Sequence, residues 1–114
     1  MPGQPKPEFI AVRPREEVAA GVAELTGRGA GPVAVEAAGA LAVYRWALDP
    51  VGPAPVTGRV LDGAPSELDL AVEERAAIEA SRDPGRPEDA RARAAGAAHA
   101  LGWILGFVPA GRRP

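Results

Sequence analysis

The chain has 114 residues, one domain's worth, and its net charge of −2 with a pI near 5.4 argues against a nucleic-acid-binding surface. It contains no cysteine, which excludes disulfides and thiol catalysis. The first fifteen residues lack the apolar region of a signal peptide, so we expect a cytoplasmic protein.

The apolar residues of this chain are mostly small. It has 25 alanines, 14 glycines, 13 prolines and, apart from Lys6, only arginine as its basic residue, a composition that indicates a high-GC bacterial source. An alanine buries little area, so the hydrophobic core is expected to be modest. A domain with a modest core gains from association. We therefore expect a protein partner or a homodimer, with no nucleic acid and no membrane.

The chain is predicted to begin with an extended tail over residues 1–7 and a strand over residues 8–13. Pro14 is expected to open a helix, because proline suits the first turn. Val18, Val22 and Leu25 recur with the spacing of one helical face, and Gly27 is expected to end the helix.

The glycine-rich segment 27–32 is predicted to be a loop from helix to strand. Phosphate loops run the other way, from a strand into a helix, so we expect no phosphate site here. Residues 32–49 alternate apolar and polar side chains about Ala38-Gly39, which favours a β-hairpin. Residues 56–62 are predicted to add a third strand to this meander.

Two helices are predicted to follow. Ser66 is expected to cap a helix over residues 67–81, with an apolar stripe on one side and an acidic outer face on the other. The stripe contains Leu68, Ala71, Val72 and Ile78, and the off-stripe acids are Glu73, Glu74 and Glu79. The last helix is predicted from Pro87 to about Gly106, before a basic tail over residues 108–114.

These elements predict an α+β domain over residues 8–107. Its order is β-α-β-β-β-α-α, with a small antiparallel or mixed sheet of three to four strands covered by an αα-hairpin.

The last helix carries the chain's only histidine in the nearly uncharged segment 94–107. This segment is too short and too rich in alanine and glycine to predict a membrane span. A metal site at His99 would need ligands three or four residues away, where only Ala95, Gly96, Gly102 and Trp103 stand. Burial within the monomer and association with another chain remain open. The predicted interface is Gly96, His99, Trp103 and Gly106.

A second group of candidates follows from the predicted hairpin. Glu36, Arg45 and Arg59 are expected on one sheet face, either as cross-strand ion pairs or as an anion- or peptide-binding surface. Tyr44 and Trp46 complete the predicted ligand-binding residues, and a pocket near Tyr44, Trp46 and His99 is the alternative hypothesis. We predict no catalytic residue, no metal and no cofactor. The favoured hypothesis is a non-catalytic assembly protein that associates through its C-terminal apolar helix, and the alternative is a small-molecule-binding protein or minor enzyme.

Overall fold

A computed structural model describes residues 8–26 and 32–107 of the chain. Its described part is mainly helical, with two strands and four helices. The elements are β1 (Phe9–Ile10), β2 (Arg13–Pro14), α1 (Arg15–Thr26), α2 (Pro32–Leu48), α3 (Glu67–Ser81) and α4 (Glu88–Ile104). The predicted α+β class with three to four strands is therefore wrong. The predicted tails and most of the predicted glycine-rich loop lie outside the described residues.

The predicted hairpin at residues 32–49 is the main error, because this segment forms α2. The buried positions Ala37, Ala40, Val43 and Ala47 follow a helical period. Alanine is the best helix former and carries almost no periodic signal of its own, so an alanine-rich segment can be read with either period. The predicted turn at Ala38-Gly39 also lacked the Asn or Asp that marks a tight hairpin.

The other predicted strands also change. Residues 56–62 form an irregular loop, since no strand remains to pair with them. The predicted strand at residues 8–13 becomes a small antiparallel hairpin, in which Ile10 pairs with Arg13. Ala11, at the turn, has a positive φ of 53°.

The helix predictions hold more closely. The first helix begins at Arg15, one residue after the predicted Pro14, and buries Val18 and Leu25. The third helix has the predicted bounds and is capped by Ser66. The predicted αα-hairpin exists as α3 and α4, but it packs on α2 rather than on a sheet.

The crossing of α2 and α4 brings two backbones into close contact. A Cβ atom added to Gly96 would lie 1.9 Å from the carbonyl oxygen of Glu36, and one added to Gly39 would lie 1.9 Å from that of Arg93. Only glycine allows such an approach. Helix α4 also packs against α3, and α1 packs against α2, so the core is centred on α2 and α4.

The N-terminal hairpin closes the end of this core. The Arg13 guanidinium lies 4.7 Å from the centre of the Trp103 ring, and its Nε donates to the Trp103 carbonyl at 2.6 Å. The Trp103 ring also meets Tyr44 edge to face, with ring centres 5.9 Å apart. This aromatic and cationic stack fixes β2 to the C-terminal end of α4.

The N-terminus of α3 carries a complete capping box. The Asp69 backbone N–H donates to the Ser66 hydroxyl at 3.0 Å, and the Ser66 N–H donates to the Asp69 carboxylate at 2.9 Å. The hydrogen bonds from Ser66 lower the pKa of Asp69, and Arg59, at 3.6 Å, lowers it further. The ionised carboxylate is therefore the form that stabilises the fold.

We expect the stabilisation from Asp69 to disappear at acid pH. Because its pKa is lower in the folded chain, the unfolded chain takes up the proton first as the pH falls, so protonation favours unfolding. The difference in unfolding temperature between wild type and Asp69→Ala should be largest at neutral pH and should shrink below about pH 4, the ordinary range of an aspartate. Thermal unfolding monitored by circular dichroism measures this difference. The Asp62→Ala variant removes an exposed carboxylate without a capping hydrogen bond and serves as control; a difference for Asp69→Ala that stays constant to pH 2 would contradict the assignment.

Candidate functional site

The stripe that the sequence predicts as the core-facing side of α3 is turned toward solvent. Leu68 is 74% exposed and Val72 39% exposed, and Phe107, just after α4, is 69% exposed. Together with Ala71 and Ile78, these side chains line a shallow groove of about 680 Å³. We call this surface the outer face of α3, and it consists of Leu68, Ala71, Val72, Ile78 and Phe107.

The opposite side of α3 is the buried one. It carries Leu70, Glu73, Ala77 and Ala80. The predicted acidic outer face is therefore wrong for Glu73, which is fully buried. Its carboxylate accepts hydrogen bonds from the backbone N–H groups of Val56 and Thr57 at 3.1 and 3.2 Å, and from the Thr57 hydroxyl. Glu73 thus holds the loop after α2 against α3.

Charged side chains lie among the apolar residues of the outer face of α3. Arg75 forms an ion pair with Glu79 at 3.5 Å along the helix, and Arg82 stands at its C-terminal end. Glu74 also lines the groove, and partial burial raises the pKa of its carboxyl. The groove therefore combines apolar side chains with charges of both signs.

The four residues predicted for an interface on α4 divide into two pairs. Gly96 and Trp103 are buried in contacts within the chain, against α2 and β2. His99 and Gly106 are exposed. Gly106 has a φ of 87° and ends α4, with the N–H of Phe107 donating to the Gly102 carbonyl at 2.8 Å. An interface through these four residues stays a prediction, but two of them already have partners within the chain.

The predicted ligand-binding residues do not share one surface, because the sheet that would have grouped them is absent from the described residues. Glu36 and Arg45 are nine residues apart on α2, which places them on opposite sides of that helix. Arg59 lies in the loop and pairs with Asp69. Tyr44 is fully buried, whereas His99 is exposed. A pocket around Tyr44, Trp46 and His99 stays a prediction.

Two of those residues, Arg45 and Trp46, do line a common cleft. It is an open cavity of about 600 Å³ between α1, the end of α2 and the following proline-rich loop. Val22, Val51 and Pro53 form apolar walls, and Arg45 and Asp49 are its charged residues. We call it the α1–α2 cleft.

The described residues contain no group of three or more metal-ligating side chains, and no described helix is long and apolar enough to cross a membrane.

Comparisons with protein-family models, with curated proteins and with solved structures find no match for this chain. The candidate sites among the described residues are therefore two surfaces, the outer face of α3 and the α1–α2 cleft.

Sequence reasoning assigned no site role to the outer face of α3, although it found every one of the four stripe residues. The signal that could have revealed it is the second apolar series on the same helix, Leu70, Ala77 and Ala80. A helix with two apolar sides has more apolar surface than one core can cover. Asp49 was also missed, because its position beside Arg45 follows only from the helical form of α2.

Proposed function

We propose that this chain is a small non-catalytic assembly protein that forms a homodimer through the outer face of α3. The observation that supports this proposal is the exposure of Leu68 and Val72 directly opposite the buried side of the same helix. Large apolar side chains grouped in one exposed groove favour a protein contact, whereas single exposed ones do not require one. The small core of an alanine-rich domain adds a reason for association.

The charges along α3 favour a second copy as the occupant of this face. Its first turn is acidic, with Glu67 and Asp69, and Arg82 follows its last residue. In an antiparallel pair of identical helices, the acidic first turn of each lies beside Arg82 of the other, so these charges are complementary across a two-fold axis. The two helix dipoles are also opposed in this arrangement.

The spacing of the outer face suits a two-fold axis near Arg75. Val72 of each copy then lies opposite Ile78 of the other copy, and Arg82 of each copy lies beside Glu67 of the other copy. The two Arg75 side chains approach each other at the axis, where the Glu79 carboxylate of each copy, at 3.5 Å from its own Arg75, offsets the repulsion. This proposal moves the association surface from α4, where Gly96 and Trp103 are occupied within the chain, to α3 and the end of the same helical hairpin. The cytoplasmic location and the bacterial source belong to the proposal as well.

We expect Leu68→Arg to convert a dimer into a folded monomer, because position 68 lies opposite Arg82 of the second copy and the two cations repel each other. Leu68 is 74% exposed, so the substitution places a charge in the interface without changing the core. The matched control is Val60→Arg, since Val60 is 75% exposed but lies outside the outer face of α3. A 15-residue helix is only about 22 Å long, so the dimer should be weak and its mass should be followed over a range of concentrations by light scattering.

The antiparallel arrangement has its own test. Arg82→Glu should weaken the dimer, and adding Glu67→Arg in the same chain should restore it, because the two ends then attract again with reversed signs. A wild type that is monomeric at every concentration would contradict the homodimer. A dimer that Leu68→Arg leaves intact would contradict the surface, and a failure of the double variant to recover would contradict the antiparallel arrangement.

A further inference from the structure

The α1–α2 cleft contains one side chain of each charge, and they do not meet. Arg45 and Asp49 are four residues apart at the end of α2, a spacing that normally allows an ion pair, and both line the cleft. Among the described residues, no ion pair or side-chain hydrogen bond joins them to each other or to a third residue. The cleft therefore presents a separate cation and anion to solvent at its edge.

One wall of the cleft is Trp46, a residue whose indole N–H is buried without an acceptor among the described residues. Trp46 is 5% exposed, and its indole Nε1 has no hydrogen-bond partner in the described part of the chain. A buried N–H without an acceptor is costly to the fold, and such groups are uncommon unless a ligand or water serves them. Around the indole, Val22, Val51 and Pro53 leave an apolar space next to the two charges.

We propose that the α1–α2 cleft binds a free amino acid with an apolar side chain. The ligand's carboxylate lies against the Arg45 guanidinium, its ammonium group lies against Asp49, and its side chain packs on the Trp46 wall. A simple anion fits less well, because Asp49 repels it, and a simple amine is repelled by Arg45. A zwitterion satisfies both charges at once. This site is separate from the outer face of α3 and does not depend on the homodimer.

The test uses three probes of the same shape. L-Phenylalanine carries both charges, 3-phenylpropionate lacks the ammonium group, and 2-phenylethylamine lacks the carboxylate. In the nitrogen-15 NMR spectrum, the Trp46 indole signal, assigned with Trp46→Phe, should move with L-phenylalanine and saturate. The Trp103 indole is the internal control, because it is packed between Arg13 and Tyr44 and should not move.

The size of the effect follows from the exposure of the two charges. Each exposed ion pair contributes up to ~1 kcal/mol, so each single-charge probe should bind about fivefold more weakly than L-phenylalanine. Asp49→Asn should weaken the binding of L-phenylalanine and remove its advantage in affinity over 3-phenylpropionate. Arg45→Gln should weaken the binding of L-phenylalanine and remove its advantage in affinity over 2-phenylethylamine. Asp62→Asn, an exposed carboxylate outside the cleft, should change nothing.

The proposal is overturned if L-phenylalanine causes no saturable shift of the Trp46 signal. It is also overturned if the three probes bind equally, or if the Trp103 signal moves as much as that of Trp46. A loss of affinity in Asp62→Asn equal to that in Asp49→Asn would show a general charge effect rather than a site.

Discussion

Replacing Gly96 with alanine should destabilise the fold, although alanine is the better helix former. The added Cβ would lie 1.9 Å from the Glu36 carbonyl oxygen and 2.7 Å from its carbon, far inside van der Waals contact. Both are backbone atoms, so α2 and α4 must move apart along their crossing. The higher helix propensity of alanine stabilises the chain by about 1 kcal/mol relative to glycine. Overpacking of this severity costs more than that. We expect a net loss of roughly 2 kcal/mol or more in the free energy of unfolding.

Chemical denaturation measures this loss, and two variants make it specific. Gly39→Ala should behave similarly, because its Cβ would meet the Arg93 carbonyl oxygen at 1.9 Å. His99→Ala introduces alanine on the exposed side of α4 and should change the free energy of unfolding by less than ~0.5 kcal/mol. If Gly96→Ala stabilised the chain, the helix propensity would dominate and the close crossing would be wrong.

The helices that could be predicted have local sequence signals strong enough to define both the period of their apolar residues and the residues at which they begin and end. The third helix has Ser66 and Asp69 as reciprocal caps, and its predicted bounds are confirmed. The first helix has Val18 and Leu25 on one face and acids in its first turn. These signals depend only on residues within one or two turns of each other, so no tertiary information is needed.

The second helix could not be predicted for the opposite reason. Its alanines add little to the apolar period, so the pattern of this segment can be interpreted as a strand or as a helix, and Gly39 resembles a turn residue until its contact with α4 is known. The same error created the sheet face on which Glu36, Arg45 and Arg59 were grouped. When a predicted site combines residues from three distant segments, an error in the register of any one segment misplaces the site residues of that segment.

The direction in which α3 faces also depends on tertiary structure. Leu68 and Val72 are larger than most residues of the buried side. Hydrophobicity alone therefore predicts that the side with Leu68 and Val72 is buried, and this prediction is wrong. The position of Glu73 reverses this choice, because its carboxylate must be buried to reach the backbone N–H groups of Val56 and Thr57. A buried polar anchor therefore decides which apolar face is left exposed.

Replacing Glu73 with alanine should destabilise the fold by about 2–4 kcal/mol. The variant leaves a cavity at a fully buried site and removes the acceptor of three donors, the N–H groups of Val56 and Thr57 and the Thr57 hydroxyl. The loop after α2 should separate from α3, and the amide protons of Val56 and Thr57 should exchange with solvent much faster. Denaturation and native-state hydrogen exchange measure the two effects.

Glu73→Gln is the matched control, because it keeps the shape of the side chain and one acceptor oxygen. That oxygen can still accept from the two backbone N–H groups, while the new amide can donate to the Thr57 hydroxyl. We expect a loss below about 1 kcal/mol, with slow exchange retained at Val56 and Thr57. Equal losses in Glu73→Ala and Glu73→Gln would show that the negative charge, rather than the set of hydrogen bonds, anchors the loop. If the bonds are the anchor, Glu73→Ala also frees α3 to rotate, and the homodimer through its outer face should weaken together with the loop, whereas Glu73→Gln should leave the dimer unchanged.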